Sequence, residues 1–224
     1  AAVLFDHDGT LMDTEPLWYQ AEQQFANERG TSITQEQTEF MVGKAMDVTS
    51  HLMKEWTGAE ESPEEIGRII IDTVTQAVVE SPALWRPGME RLVAELKDQG
   101  VPLALVSSAP RQIIDAVLAK LPEDTFQAVF AAEDVEALKP DPDPYLRAAA
   151  ALGVDPSKCV VIEDSGSGLE SARRAGANVI GIPCVLEIPP AKGLSRFASG
   201  EELSVALLGR ISQGEVIDQL APVP

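Results

Sequence analysis

Asp6 and Asp8, one residue apart at the end of the apolar run Val3-Leu4-Phe5 and followed by Gly9 and Thr10, are the residues of this chain best suited to chemistry. Alternation along a strand points positions 6 and 8 to the same side. Two carboxylates that close repel each other unless a cation, a proton or a ligand comes between them. One can act as a nucleophile and the other as an acid and base beside it, over a bound metal. Gly9 and Thr10 supply a turn and a candidate cap, which places the pair at the carboxyl end of a strand, where open α/β sheets bind ligands. The same tetrad also occurs in surface turns and calcium loops. A helix-loop-helix calcium loop counted from Asp6 needs an acid at its twelfth position, and Leu17 stands there. Taken alone, the tetrad is open to either a catalytic or a turn reading.

Three further polar groups occupy comparable places. Val101 to Val106 reads as a buried strand ending in Ser107-Ser108, and Ala128 to Ala131 as a short strand whose following loop carries Lys139-Pro140. Val160 to Ile162 ends in Glu163-Asp164-Ser165, and Val179 to Ile182 reads as a fifth strand. Each group has an ordinary explanation: Ser107 can cap a helix, Lys139 can be a solvated cation, and Glu163-Asp164 can be a turn. At the carboxyl edges of one doubly wound sheet they converge on one crevice. Four carboxylates there require a cation, and hard oxygen ligands suit Mg²⁺. The Ser107 hydroxyl, the Ser108 amide and Lys139 are the donors that a phosphate requires. At ~4 Å and an effective dielectric near 20, one such charge contact is worth about 4 kcal/mol before desolvation.

The elements that position these groups follow from patterning. Continuous apolar strands alternating with helices (Gly88 to Gln99, Pro110 to Leu121, Asp143 to Gly153, Gly168 to Ala175) predict an α/β fold, a parallel sheet covered on both faces. Between the first strand and this pattern, residues 14–85 read as almost uninterrupted helix. Thr34 with Gln37 has capping-box spacing, a further helix runs from Met46 to Trp56, and Ser62-Pro63-Glu64-Glu65 starts one that continues to about Glu80. The expected organisation is therefore a discontinuous core, 1–13 with 86–224, and an inserted all-helical cap over 14–85. Beyond Glu187 the pattern is hard to place, although Ser199 with Glu202 has capping-box spacing before Leu203 to Leu208.

The 224 residues carry a formal charge of −19. That balance argues against nucleic acid and anionic membrane partners, which bind through clustered Lys and Arg. No run approaches the ~18 apolar residues of a membrane span. Cys159 and Cys184 lack metal-ligand spacing and read as buried free thiols in a reducing, cytoplasmic compartment. A monomer is the expected state.

Asp6-His7-Asp8-Gly9-Thr10-Leu11 resembles the first signature of the haloacid dehalogenase superfamily, in its phosphatase branch. Ser107, Lys139-Pro140 and Glu163-Asp164 resemble its other motifs in order. The resemblance implies a Rossmann-like core and Mg²⁺-dependent hydrolysis of a phosphate monoester, with an aspartyl-phosphate formed on Asp6. Asp8 would protonate the leaving oxygen and then deprotonate the attacking water. Mg²⁺ would be held by the Asp6 side chain, the Asp8 backbone carbonyl and Asp164, with Glu163 at or beside that shell. Ser107, Ser108 and Lys139 would hold the phosphate, and the cap would close over the substrate.

Asp13-Thr14-Glu15-Pro16-Leu17-Trp18 resembles the hinge and first cap helix of sugar-phosphate phosphatases, including those acting on hexose 6-phosphates and their 2-deoxy analogues. Glu15 and, between two cap helices, Lys44 are the candidate substrate contacts, with an ordinary surface lysine the alternative for Lys44. β-Phosphoglucomutases share the layout but carry a His where Trp18 stands. Phosphoglycolate phosphatase is a further alternative. A catalytically silent binding protein on the same fold is the alternative from another class.

Overall fold

The computed structural model describes residues 1–220. Among them six parallel strands form one sheet: β1 (Ala2–Phe5), β2 (Leu103–Val106), β3 (Ala128–Phe130), β4 (Cys159–Glu163), β5 (Asn178–Gly181) and β6 (Leu194–Arg196), in the order β3-β2-β1-β4-β5-β6. The order reverses between β1 and β4, and the groups at their carboxyl ends open into the crevice there. In register, Leu4 pairs with Ala104 of β2 and with Val161 of β4. Side-chain alternation divides these apolar strands between two cores: Val3, Phe5, Leu103, Leu105, Val160 and Ile162 face one layer, and Ala2, Leu4, Ala104, Val106 and Val161 the other.

Four helices separate β1 from the rest: α1 (Glu15–Asn27), α2 (Gln35–Met41), α3 (Met46–Thr57) and α4 (Pro63–Glu80). The Thr34/Gln37 and Ser62/Glu65 capping boxes are both formed. Ile66, Ile70, Val74 and Val78 make the buried stripe of α4 at helical spacing. The chain enters and leaves this block at one hydrogen-bonded step, Asp13 N–H to Leu84 O at 2.7 Å and Arg86 N–H to Leu11 O at 3.0 Å. The covering helices of the sheet are α5 (Met89–Asp98), α6 (Arg111–Leu118), α7 (Asp143–Ala151) and α8 (Gly166–Arg174), with α9 (Val205–Ile211) beyond the last strand.

Three sequence expectations need correction. A sixth strand, β6, adds to the five, and its signal is hidden because a charged residue sits inside it. Arg196 is 1% exposed, clamped by Asp218 at 2.8–3.1 Å and by the Ile188 carbonyl at 2.7 Å. Ser199 caps a 3₁₀ turn at 200–202, and Ser204 is the cap of α9. Cys159 and Cys184 are free thiols, but only Cys159 is buried; Cys184 is half-buried. The last four positions of the 86–224 core segment lie outside the described residues. No helix among the described residues is long and apolar enough to cross a membrane.

Candidate active site

β1 ends at Phe5, the Asp6 amide still donates to the Ile162 carbonyl of β4 at 3.0 Å, and the next residues turn sharply. The His7 carbonyl accepts from the amides of Leu11 and Met12, both at 3.0 Å, and Gly9 N–H donates to Met12 O at 2.9 Å. Gly9 adopts φ +75°, and a Cβ there would lie 2.2 Å from Asp164 Oδ2. Only glycine lets the loop after β1 meet the loop after β4.

The convergence expected from the strand ends is present. Asp6, Asp8, Ser107, Ser108, Lys139 and Asp164 line one cavity of about 130 Å³, roofed by residues of α1–α3 and the loop between α2 and α3. Lys139 Nζ donates to Asp6 Oδ1 and Glu163 Oε1, both at 2.7 Å, and to the Val106 carbonyl at 3.0 Å. Burial opposes its charge, but the two carboxylates outweigh that and raise its pKa.

Glu163 is fully buried, and both its oxygens are engaged. Oε1 accepts from Lys139 and from Tyr145 Oη at 2.7 Å; Oε2 accepts from the amides of Asp164 and Ser165, both at 3.2 Å, and from Ser165 Oγ at 3.0 Å. Gly168, in the first turn of α8, makes the seat for this carboxylate, since a Cβ there would fall 1.7 Å from Glu163 Oε1.

Asp6 is differently placed. Its Oδ1 is held by Lys139, while Oδ2 is buried with no hydrogen-bond partner. Burial and the neighbouring Glu163 push its carboxyl up to about 6 despite Lys139. Asp164 is pushed up to about 9 by burial, Asp6 and Glu163. Oxygens of Asp6, Glu163 and Asp164 lie within 4.8 Å of one another. An orphaned carboxylate oxygen beside a second carboxylate that resists ionisation fits a hard divalent cation. Among the three, Asp6 and Asp164 have oxygens to offer, whereas those of Glu163 are taken.

Asp8 reaches the same cavity with a different set of partners. Its Oδ1 accepts from Thr14 Oγ1 and, at 3.2 Å, from Trp18 Nε1 of α1. His7 Nδ1 stands 3.1 Å from Oδ2, close enough for charge pairing though not aligned as a hydrogen bond. Burial resists ionisation of Asp8, yet His7, Thr14 and Trp18 together lower its pKa. In turn, His7 is held above its ordinary value because the Asp8 carboxylate outweighs the cost of burial. Ser107 Oγ accepts from the Ala109 amide at 3.0 Å, which leaves its proton to donate, and the Ser108 amide donates to no backbone carbonyl among the described residues.

The two candidate substrate contacts part company. Glu15 lines the cavity, half-buried, and burial with Asp8 and Asp6 nearby pushes it to about 7. Lys44 also lines it but is exposed, with its ammonium 4.3 Å from the Phe40 ring centroid. Sequence reasoning missed Tyr145, Gly168, His7 and Thr14 as supports of the site. It also missed Glu22 of α1, whose sole available signal was an acid beside the apolar positions Leu17, Ala21 and Phe25.

Comparisons agree with this geometry. Residues 3–182 match the haloacid dehalogenase-like hydrolase family. Hexitol phosphatase B of Escherichia coli (strain K12) is 33% identical over 201 residues, covering 88% of this chain and 87% of that protein. The phosphorylated carbohydrates phosphatase of Thermotoga maritima is 32% identical over 176 residues, 78% of this chain and 81% of that protein. The crystal structure of CbbY from Rhodobacter sphaeroides in complex with phosphate superposes with a TM-score of 0.81 at 26% identity, covering 92% of this chain and 98% of that one. A family match of that extent, with such identity sustained over most of the sequence, makes this chain a member of the haloacid dehalogenase-like hydrolase family.

Proposed function

We propose that this HAD-type phosphatase removes phosphate from small phosphorylated sugars or sugar alcohols, with Asp6 as nucleophile and Mg²⁺ as cofactor. One observation carries the assignment: Asp6 has one oxygen fixed by a buried lysine and the other left without a protein partner, in a cavity that Asp8 also enters. The names of two relatives, a hexitol phosphatase and a phosphorylated carbohydrates phosphatase, support the substrate class.

The roles follow from the contacts. Asp6 attacks phosphorus and the phosphoryl group passes to it as an aspartyl-phosphate. Asp8 gives a proton to the leaving alkoxide, then takes one from the water that hydrolyses the intermediate. Thr14 and Trp18 fix the orientation of its carboxylate. Lys139, the Ser107 hydroxyl and the Ser108 amide compensate the phosphoryl charge, while Glu163 fixes Lys139 from behind. Asp6, Asp164 and the Asp8 carbonyl are the residues that would hold Mg²⁺. Once bound, the ion supplies Lewis acidity at the phosphoryl oxygens. The helical block at 14–85 acts as a cap that excludes water. Trp18 favours hydrolysis over mutase chemistry, because an indole N–H donates to Asp8 but cannot relay a proton.

The test is phosphate release from glucitol 6-phosphate, glucose 6-phosphate, phosphoglycolate and p-nitrophenyl phosphate. Mg²⁺-dependent release by the natural protein, abolished in Asp6→Asn, is expected. Release undiminished in Asp6→Asn refutes the nucleophile, and the absence of any release favours a binding protein on this fold.

A further inference from the structure

Two polar side chains in the roof of the cavity have no structural employment. Glu22 of α1 is 5% exposed and Thr49 of α3 is 4% exposed, and both line the cavity. Neither side chain makes a hydrogen bond to another described residue, and neither is among the atoms sealed away without a partner, so their oxygens open onto the cavity. Polar atoms held there with no protein partner are available to hydrogen-bond whatever fills the cavity.

We propose that Glu22, together with Thr49, is a specificity determinant that reads the uncharged hydroxyl groups at the end of the substrate remote from its phosphate. The claim rests on the phosphatase assignment above and narrows it to a polyol monophosphate whose far end is neutral. Burial, with Glu15 nearby, pushes the Glu22 carboxyl to about 8. Protonated at neutral pH, it both donates and accepts, as does the Thr49 hydroxyl, and a substrate hydroxyl needs both. The surrounding walls, Trp18, Tyr19, Met41 and Met46, supply apolar faces for the carbon chain.

Charge points the same way. The cavity is lined by Asp6, Asp8, Glu15, Glu22 and Asp164 against two cations. One of these, Lys139, is committed to Asp6 and Glu163, and the other, Lys44, is exposed against Phe40. A second phosphate or a carboxylate at the far end would meet the uncharged Glu22 carboxyl and the Thr49 hydroxyl rather than a buried cation. A hydroxylated end meets donors and acceptors.

The experiment compares kcat/KM for glucitol 6-phosphate and for p-nitrophenyl phosphate, which has no hydroxyl, in the natural protein, Glu22→Ala, Glu22→Gln and Thr49→Val. The ratio of the two efficiencies is expected to fall roughly tenfold or more in Glu22→Ala and to fall in Thr49→Val, with partial recovery in Glu22→Gln, since a site built to hydrogen-bond a hydroxyl discriminates strongly. A ratio constant within about twofold in Glu22→Gln, Glu22→Ala and Thr49→Val overturns the proposal, because a merely structural residue depresses both substrates alike. So does a natural protein that prefers phosphoglycolate, whose far end is a carboxylate. If no ester is hydrolysed at all, the phosphatase assignment fails separately. Calorimetric titration of glucitol 6-phosphate and of inorganic phosphate into the natural protein and Glu22→Ala then decides. Weakening confined to glucitol 6-phosphate supports the role of Glu22, whereas equal weakening, or no binding of glucitol 6-phosphate, overturns it.

Discussion

Replacing Lys139 by Met tests the electrostatics of the site most directly. The side chain is 4% exposed and its ammonium lies 2.7 Å from one oxygen each of Asp6 and Glu163. Its removal leaves those two carboxylates facing each other with oxygens within 4.8 Å. At that spacing and an effective dielectric near 20, their repulsion is about 3.5 kcal/mol, in line with the ~3–5 kcal/mol cost of stripping one partner from a buried ion pair. For a chain of this size each kcal/mol lowers Tm by about 2–4 °C, so a fall of about 6–20 °C is expected at pH 8.

The pH dependence has a definite sign. Asp6 already titrates at about 6, raised by burial and Glu163, and loss of Lys139 raises it further. A carboxyl whose folded pKa lies above its unfolded value favours folding fully at low pH, and that contribution is lost as pH rises through the folded value. The Tm gap between natural protein and variant should therefore be narrow at pH 5 and wide at pH 8. Thermal melts followed by circular dichroism in the presence of a chelator measure this. A gap below about 2 °C at pH 8, or one that widens on acidification, would refute the reasoning. Phosphate release should fall at least ~100-fold in the same variant, the scale for losing a preorganised stabilising group.

Gly168→Ala should cost about 3 kcal/mol in urea unfolding, because Glu163 Oε1, 1.7 Å from the new Cβ, is pinned by Lys139 and Tyr145 and cannot retreat. Gly166→Ala in the same helix meets nothing within 4 Å and should be neutral or slightly stabilising; equal effects at both positions would refute the crowding argument. Without divalent cations Tm should fall as pH rises from 6 to 9, since Asp164, raised to about 9 by burial, Asp6 and Glu163, is forced to ionise. Added Mg²⁺ should restore Tm most at the alkaline end, and the same increment at every pH would contradict this role for Asp164.

The residues that meet at the candidate site were legible because strand ends announce most of them. An apolar run that stops on Asp6, Ser107 or Glu163 needs no knowledge of side-chain packing. Their supports were not legible, because each depends on a meeting across long sequence separation. Tyr145 looks like one more core residue of α7 until its hydroxyl is seen on Glu163. Gly168 looks like an ordinary small residue at a helix start until the carboxylate beneath it is placed. Glu22 reads as a solvated acid on an amphipathic helix, and only the roof of the cavity shows that it faces inward. The last strand escaped because burying Arg196 needs Asp218, 22 residues later.

The chain passes between the core and the helical block at one place, where Asp13 and Arg86 lie across from Leu84 and Leu11. The block's two ends leave the core side by side, so it interrupts no strand of the sheet, and it is held there by α4 against α6 and by Lys120 on the Val79 and Ser81 carbonyls. A roof threaded on in this way can have its lining altered while Asp6, Lys139 and Asp164 stay where the strand ends and their loops put them.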